Sequence, residues 1–526
     1  ETKWSESGVT DFARIFGSER FRFEHNGVLF LGMNSGPIIR MADGHVAPQD
    51  IDWLKRELSA AGPEKPVIVV THYPLQPGDV DNWYDVTDAI RPYNIRLVMG
   101  GHYHQYMNLK YDGIPSILCR SNLRDKAPVG GYSLCEVTPD SILIYEQQIG
   151  REPVRRGGYT MTGPNFDKSN AGYPRPDYSV NLEYPQVKEQ WLLKCGYEIF
   201  SSPACWDRKV YVGDDSGTLA CYALADGKEL WRFKSDMRIV GTPAADDNVV
   251  VFGSADMCIY GLDATTGRLL WKVQTDAPVL GAVTLHKGVA YIGGSDHCFR
   301  AINLHSGQAV WTYEGVAGYI ETKPLVYDGL VIFGAWDKNL YALDLKTGRE
   351  VWKWHDGKPG KFYSAAAVWP VGAHGKVFVA DPERVLSAID LRTGATVWRT
   401  KESMVRETIG LSEDNRRIYS KTMNDSVVCY SATADHPQKL WASNVGFGYE
   451  HAPSMPVEKE GVVFGSTKNG LMFGLDARTG RVLWKHKVGN SLISTLVPLS
   501  KERCLFTATG GEIGLLVIDY KTNKQK

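Results

Sequence analysis

The sequence predicts a multidomain chain, an α/β part over residues 1–150 followed by an all-β propeller of eight blades over residues 187–526. Three observations lead there. The first 150 residues alternate strand-like and helix-like segments; from residue 187 onward the text repeats with a tryptophan roughly every 42 positions, the length of a four-stranded blade; and residues 151–186 between them follow neither period. A chain of 526 residues is also longer than one hydrophobic core usually organises.

In the first part, "FRFEHNGVLFLGMNS" (21–35) alternates as a strand hairpin does, and "APQDIDWLKRELSAA" (47–61) sets Ile51, Leu54 and Leu58 at helical spacing. "PVIVVTHYP" (66–74) is a short apolar strand ending in Thr-His. "DVTDAIRPYNIRLVMGGHYHQY" (85–106) gives a helix, a strand, and a histidine pair behind two glycines. Carboxyl ends of strands are where α/β proteins build sites, so His72, His102 and His104 are expected at one rim. Three imidazoles there are costly to bury without partners, and metal ligation supplies a strong one. They are the candidate metal ligands; Tyr73, Asn82, Trp83, Tyr84 and Tyr103, beside them in the chain, are candidate substrate contacts.

With "GHVAPQDIDWLKREL" in its place between them, the motifs "FRFEHNGVLFLGMNS", "VIVVTHYP" and "VMGGHYHQY" resemble, in order, the calcineurin-like metallophosphoesterases, and among them the purple-acid-phosphatase-like branch, over residues 10–148. The resemblance implies a dinuclear centre of Fe, Zn or Mn, with His72 and His102 on one ion and His104 on the other. It implies a phosphate ester as substrate and an in-line displacement in which the ions polarise the phosphate and lower the pKa of a bridging water. The family's opening Asp-x-His, Gly-Asp and Gly-Asn-His motifs, which supply the bridging aspartate and the general acid, are read as missing before residue 72. Two explanations compete: residues 1–150 are the C-terminal portion of such a domain, whose earlier part belongs to the full-length protein, or the domain has lost its site and survives as a binding module. The first is the expectation. No catalytic residue is then assigned within this chain, the general acid being expected upstream, and the stretch alone is expected to hold little or no metal and to hydrolyse little.

Residues 151–186, rich in Gly, Pro, Asn and Asp, read as a linker or strap whose Tyr159, Phe166, Tyr173 and Tyr178 pack against something.

Beyond it, tryptophan recurs at 191, 231, 271, 311, 352, 398, 441 and 484. "GLDATTGRLLW" (261–271), "AINLHSGQAVW", "ALDLKTGREVW", "AIDLRTGATVW" and "GLDARTGRVLW" (474–484) each read as a strand, a turn capped by Asp or Asn with Gly at a positive φ, and a strand ending in an indole. The last repeat, "GLLVIDYKTNKQK", stops before any tryptophan, whereas "EQWLLK" (189–194) has a tryptophan strand with nothing before it. Pairing of the two closes eight blades without a free edge. These lines resemble repeats of the pyrroloquinoline-quinone type, found in quinoprotein alcohol dehydrogenases and in the outer-membrane assembly lipoprotein that binds other proteins. The dehydrogenases hold their quinone with a vicinal disulfide that this chain lacks, so no quinone is expected. Polar groups expected to begin the innermost strands, Arg238, Glu321, Lys323, Lys361, Tyr363, Arg406, Glu407, Glu450 and His451, are candidate lining of a funnel for a protein or peptide ligand, or mutually paired charges in a wet channel.

Composition narrows the rest. With 59 basic and 60 acidic residues the net charge is -1, which gives no electrostatic case for nucleic acid or an anionic membrane as partner. The apolar runs are too short to span a bilayer. Nine cysteines without a CxxC or adjacent pair read as free thiols. The resemblance of the two parts implies a bacterial envelope protein, exported, periplasmic or outer-membrane-associated, although the chain itself shows no signal segment. The remaining function class is a non-catalytic propeller scaffold carrying a degenerate hydrolase part.

Overall fold

The computed structural model describes residues 12–13, 15–36, 43–122, 129–355 and 369–521. It is mostly β and divides into two compact units, residues 1–177 and 178–526.

In the first unit, β1 (Phe21–His25) and β2 (Val28–Gly32) form the expected hairpin, turned at Asn26 (φ 47°) and Gly27 (φ 79°). With β3 (Val67–Val70), β4 (Ile95–Gly100), β5 (Met107–Tyr111) and β6 (Ile114–Leu118) they make one sheet in the order β1-β2-β3-β4-β6-β5. Strands β2, β3, β4 and β6 run parallel. Helices α1 (Pro48–Ala61) and α2 (Trp83–Ile90) cover one face; Pro48 stands in the first turn of α1, where its missing N–H costs nothing, and Gly62 at φ 82° ends it. Because side chains alternate along a strand, Leu29 and Leu31 of β2 pack against Ile51, Leu54, Leu58, Trp83 and Ile90, while Val28 and Phe30 face the other way. There they meet Val137, Ile142 and Ile144 of a three-stranded sheet, β7 (Gly131–Val137), β8 (Ser141–Gln148) and β9 (Val154–Thr160). A central sheet buried on both faces requires the near-continuous apolar strands seen at 28–32 and 67–70.

The segment 151–186 differs from its patternless reading. It contributes β9, whose side chains are mostly exposed and so carry no alternating signal, and a helical turn at Val180–Glu183. Between these, the chain is fastened by Asp112. That fully buried carboxylate accepts from the Tyr173 N–H (2.9 Å), Thr87 Oγ1 (3.1 Å) and Arg175 (3.0 Å), and pairs with Arg91.

The second unit contains eight four-stranded antiparallel sheets among the described residues. Seven follow one another in the chain; the eighth joins Val187–Lys194 to the last three strands, with Trp191 opposite Leu515. The repeat has a physical cause. Asp263 accepts hydrogen bonds from the Thr265 and Thr266 N–H groups (3.0 and 2.8 Å), which shapes the turn, and Gly267 (φ 73°) has no room for a side chain, since a Cβ there would lie 2.6 Å from the Trp231 ring of the preceding sheet. The Trp231 indole N–H donates to the Ala264 carbonyl (3.3 Å). The same bond recurs from Trp271 to Leu304, Trp311 to Leu345, Trp352 to Leu391, Trp398 to Ala434 and Trp441 to Ala477; Trp484 reaches the Tyr520 hydroxyl, and Trp191 of the eighth sheet reaches Leu224 of the first. Each tryptophan is therefore a rivet to the next sheet. Each of the eight strands carrying one also has an irregularity of register beside the tryptophan, as between Cys221 and Tyr222 opposite Glu229–Trp231.

Candidate functional site

Strands β2, β3 and β4 are adjacent and parallel, so their carboxyl ends bring Met33–Ser35, Thr71–Tyr73 and Gly101–His104 side by side. Ser35, fully buried, organises the junction: its hydroxyl oxygen accepts both the His72 N–H (3.0 Å) and the Tyr73 N–H (2.9 Å). The Gly101 N–H donates to the His72 carbonyl (2.8 Å), and a Cβ on Gly101 would stand 3.3 Å from His72 Nδ1. That close approach explains why glycine precedes the histidine pair.

The two predicted ligands on different strands do meet, with the His72 and His102 rings edge to face at 5.5 Å. Tyr73 stacks on His102, with centroids 4.0 Å apart and planes at 29°, and its ring also lies 5.4 Å from that of His72. His102 (φ 68°) and His104 (φ 59°) both adopt left-handed backbone, a conformation that costs energy for any residue with a Cβ. Between them, the Tyr103 hydroxyl donates to the Asp79 carboxylate (2.7 and 2.8 Å to its two oxygens). Burial pushes the Tyr103 phenol up to about 12, and the adjacent Asp79 adds to the shift. Gln76 Nε2 donates to the same carboxylate (2.8 Å).

Among the described residues, no three His, Cys, Asp or Glu side chains converge closely enough to hold a metal ion. The described residues therefore do not by themselves fit a dinuclear centre. Of the predicted substrate contacts, Tyr73 and Tyr103 border the histidines. Asn82 is buried with its amide committed to both backbone groups of Val46 (3.0 and 2.7 Å), Trp83 lies in the core against Tyr84 and Tyr173, and Tyr84 packs against that core.

Sequence reasoning passed over Ser35, Asp79 and a buried pair, His45 Nδ1 to Asp81 Oδ1 at 2.7 Å. One signal was available: Asp43-Gly44-His45 spells an Asp-x-His outside the family's order. Gly44 is wedged there because a Cβ would meet the Ser35 carbonyl at 2.6 Å and the Tyr73 ring at 2.8 Å.

In the second unit the described funnel candidates are engaged mostly with neighbours outside the candidate set, and Arg406 and Glu407 with one another. Arg238 pairs with Asp215 (3.1 Å), Glu321 accepts from the Trp336 indole (2.8 Å), and Arg406 lies 3.4 Å from the fully buried Glu407. Glu450 accepts from the Ala452 and Lys468 N–H groups (2.6 and 3.0 Å) and faces the buried Lys421 ammonium at 3.5 Å, beside Ser454 and the Ser466 carbonyl. His451 packs against Tyr449, and Lys323 stands over the Trp369 ring at 5.1 Å. Lys361 and Tyr363 lie outside the described residues.

Fold and site together define a chain of two parts, an α/β segment with histidines at its strand ends and a long array of tryptophan-riveted sheets. Residues 188–317, 258–379, 301–434 and 424–526 match the family model of the outer membrane protein assembly factor BamB, and the chain belongs to that family. Residues 4–106 match the calcineurin-like phosphoesterases. The serine/threonine-protein phosphatase CPPED1 of Bos taurus is 27% identical over 124 residues, 21% of this chain and only 40% of that protein's length. Among solved structures, BamB from Moraxella catarrhalis is similar with a TM-score of 0.52 at 18% identity, over 63% of this chain and all of that one. A europium-containing methanol dehydrogenase (0.52, 15%, 66% of this chain and 95% of that chain) and Sqt1 of Saccharomyces cerevisiae (0.52, 12%, 63% and 98%) are similar too. These likenesses are of fold.

Proposed function

We propose that the full-length protein is a metal-dependent phosphoesterase whose propeller recruits a substrate or a protein partner. The observation that carries the reading is the meeting of His72 and His102 at the ends of two paired parallel strands, fixed by Ser35 and Gly101, inside the stretch that matches the calcineurin-like phosphoesterases. In this reading His72, His102 and His104 would be metal ligands, and ions bound there together with groups outside the described residues would supply Lewis-acid chemistry. This reading also needs a bridging carboxylate and a general acid that the described histidines do not supply, and this stretch alone is expected to be nearly inactive. The exposed edge strand β1, with Phe21 and Phe23 open to solvent, supports a neighbour there. We place the domains at 1–150 and 187–526 with a strap between, and the eight sheets as blades of one closed propeller, supported by the Trp191 bond to Leu224. The match to the BamB family supports a periplasmic or outer-membrane-associated location; no helix of the described residues is long and apolar enough to cross a membrane.

The test is elemental analysis with hydrolysis of an aryl phosphate, on the longest protein the parent gene encodes and on its His102→Ala variant. About two metal ions per chain, and hydrolysis that collapses in the variant, are expected for a two-metal site. Neither metal nor hydrolysis in the intact protein would overturn the reading. It would favour the second one, a propeller scaffold with a relic hydrolase part, for which the lack of a convergent metal-ligand cluster among the described residues speaks.

A further inference from the structure

We propose that Asp79 is a positioning residue for the histidine loop, acting through Tyr103 to hold His102 and His104 in their left-handed backbone. The inference rests on the phosphoesterase reading only for its consequence in catalysis, not for the structural role.

The loop 101–104 has a conformational problem that its sequence does not solve. Two residues with side chains, His102 and His104, stand at positive φ within three positions, and neither is the glycine that adopts such values freely. Strained backbone of this kind persists only where surrounding contacts over-determine it. The bonds at the start of the loop are backbone ones, the Gly101 N–H to His72 and the Tyr103 N–H to the Gly101 carbonyl (2.8 Å each). They fix the entry of the loop and, through the Tyr103 N–H, the His102–Tyr103 peptide. A side-chain anchor between the two histidines, the Tyr103 hydroxyl on Asp79, adds a hold from outside the loop.

Asp79 is built for that task. Its carboxylate takes Tyr103 on both oxygens and Gln76 on one, so its direction is set from two sides. Its backbone is fixed as well: the Asp79 carbonyl accepts the Gly44 N–H (2.7 Å), its own N–H donates to the Gln76 carbonyl (3.2 Å), and the next residue, Val80, bridges to Gly44. The carboxylate thus refers the histidine loop to the segment that also carries Tyr73, the ring stacked on His102. Tyr73 and Asp79 hold the loop from two sides of one segment: the first restrains the imidazole plane, the second the backbone that delivers it. A hydrogen bond requires only an acceptor at this place, so an amide oxygen serves where an apolar side chain does not.

The test is amide hydrogen exchange on this chain, followed for the peptide 98–106, with peptides around Trp271 as the internal control. Tyr103→Phe and Asp79→Ala are each expected to speed exchange of 98–106 by about tenfold or more, the scale of a lost hydrogen bond to a charged acceptor, with the control unchanged. Asp79→Asn, which keeps a neutral acceptor for the Tyr103 hydroxyl, is expected to fall between the parent and Asp79→Ala. In the longest active protein, Tyr103→Phe and Asp79→Ala are each expected to lower kcat with little change in KM, and Asp79→Asn to lose less than Asp79→Ala. Unchanged exchange in Tyr103→Phe, or Asp79→Asn behaving as Asp79→Ala, would overturn the proposal. A protein without hydrolytic activity whose exchange follows the pattern would sink the phosphoesterase reading and leave the positioning role standing.

Discussion

The tryptophan of the second unit and the histidine loop of the first solve opposite problems. A tryptophan rivet is used eight times, each copy bonding to the next sheet with nearly the same partner, so a weak copy is surrounded by strong ones. The loop 101–104 is used once. The side chains shown holding it, Tyr73 and Asp79, come from one segment after β3, and each makes its contact once. Repetition spreads stability over many equivalent contacts, whereas a site concentrates its requirements in a few.

The largest effect expected is at the most buried rivet. Trp484 has no exposed surface, and Trp484→Ala should destabilise the protein by about 3–5 kcal/mol in urea denaturation. Trp231, partly exposed, should cost at least about 1 kcal/mol less in the same measurement; equal losses would mean that burial does not rank the copies. Next comes a place where the repeat is broken. Lys421 is a buried ammonium, its pKa lowered by burial while Glu450 opposes the shift. Lys421→Met, which leaves Glu450 buried without its cation, should cost about 3 kcal/mol, and adding Glu450→Gln should recover most of it.

A smaller and pH-dependent effect is expected at Asp112. Burial raises the pKa of its carboxyl, but the bonds from Arg175, Tyr173, Arg91 and Thr87 outweigh it and hold the group below the usual carboxylate range. Its folded value is thus below its unfolded one of about 3.9, so its stabilisation is complete above that pH and is lost as acid protonates the folded group. Asp112→Asn should destabilise by about 1.5–3 kcal/mol at pH 7 and flatten the acid limb of the stability curve; an unchanged limb would show that the strap is held by other contacts. The smallest effect is on the surface. Glu229, hydrogen-bonded to the exposed Arg232, should tolerate replacement by Ala within about 0.5 kcal/mol.

How much of this could be read from residues alone follows the same division. The spacing of the tryptophans and the Asp…Gly turns make the four-stranded sheets legible, because sheets that must fit identical neighbours repeat their text. What the text does not say is that the indole N–H is the bond to the next sheet, since its acceptor is a backbone carbonyl with no side-chain signature. In the first unit the apolar runs at 28–32 and 67–70 and the helical spacing of Ile51, Leu54 and Leu58 are visible, and with them the adjacency of His72 and His102. Asp79 and Ser35 are not. Their roles arise from loops that cross after the strands end, and neither residue type is distinctive there. Strand β9 escaped because a strand exposed on both sides has no period of two to detect.

The register irregularity beside each tryptophan carries a consequence for the protein among other proteins. The outermost strand of every sheet leaves a row of backbone donors and acceptors facing solvent, and aliphatic residues there, such as Leu230, Val310, Val351 and Leu440, are exposed. A straight strand of that kind is a template for joining a second molecule edge to edge. The extra residue twists the strand and interrupts the even spacing that an incoming chain would have to match. Eight such kinks, one in each tryptophan strand, interrupt the edges on which these aliphatic residues are exposed.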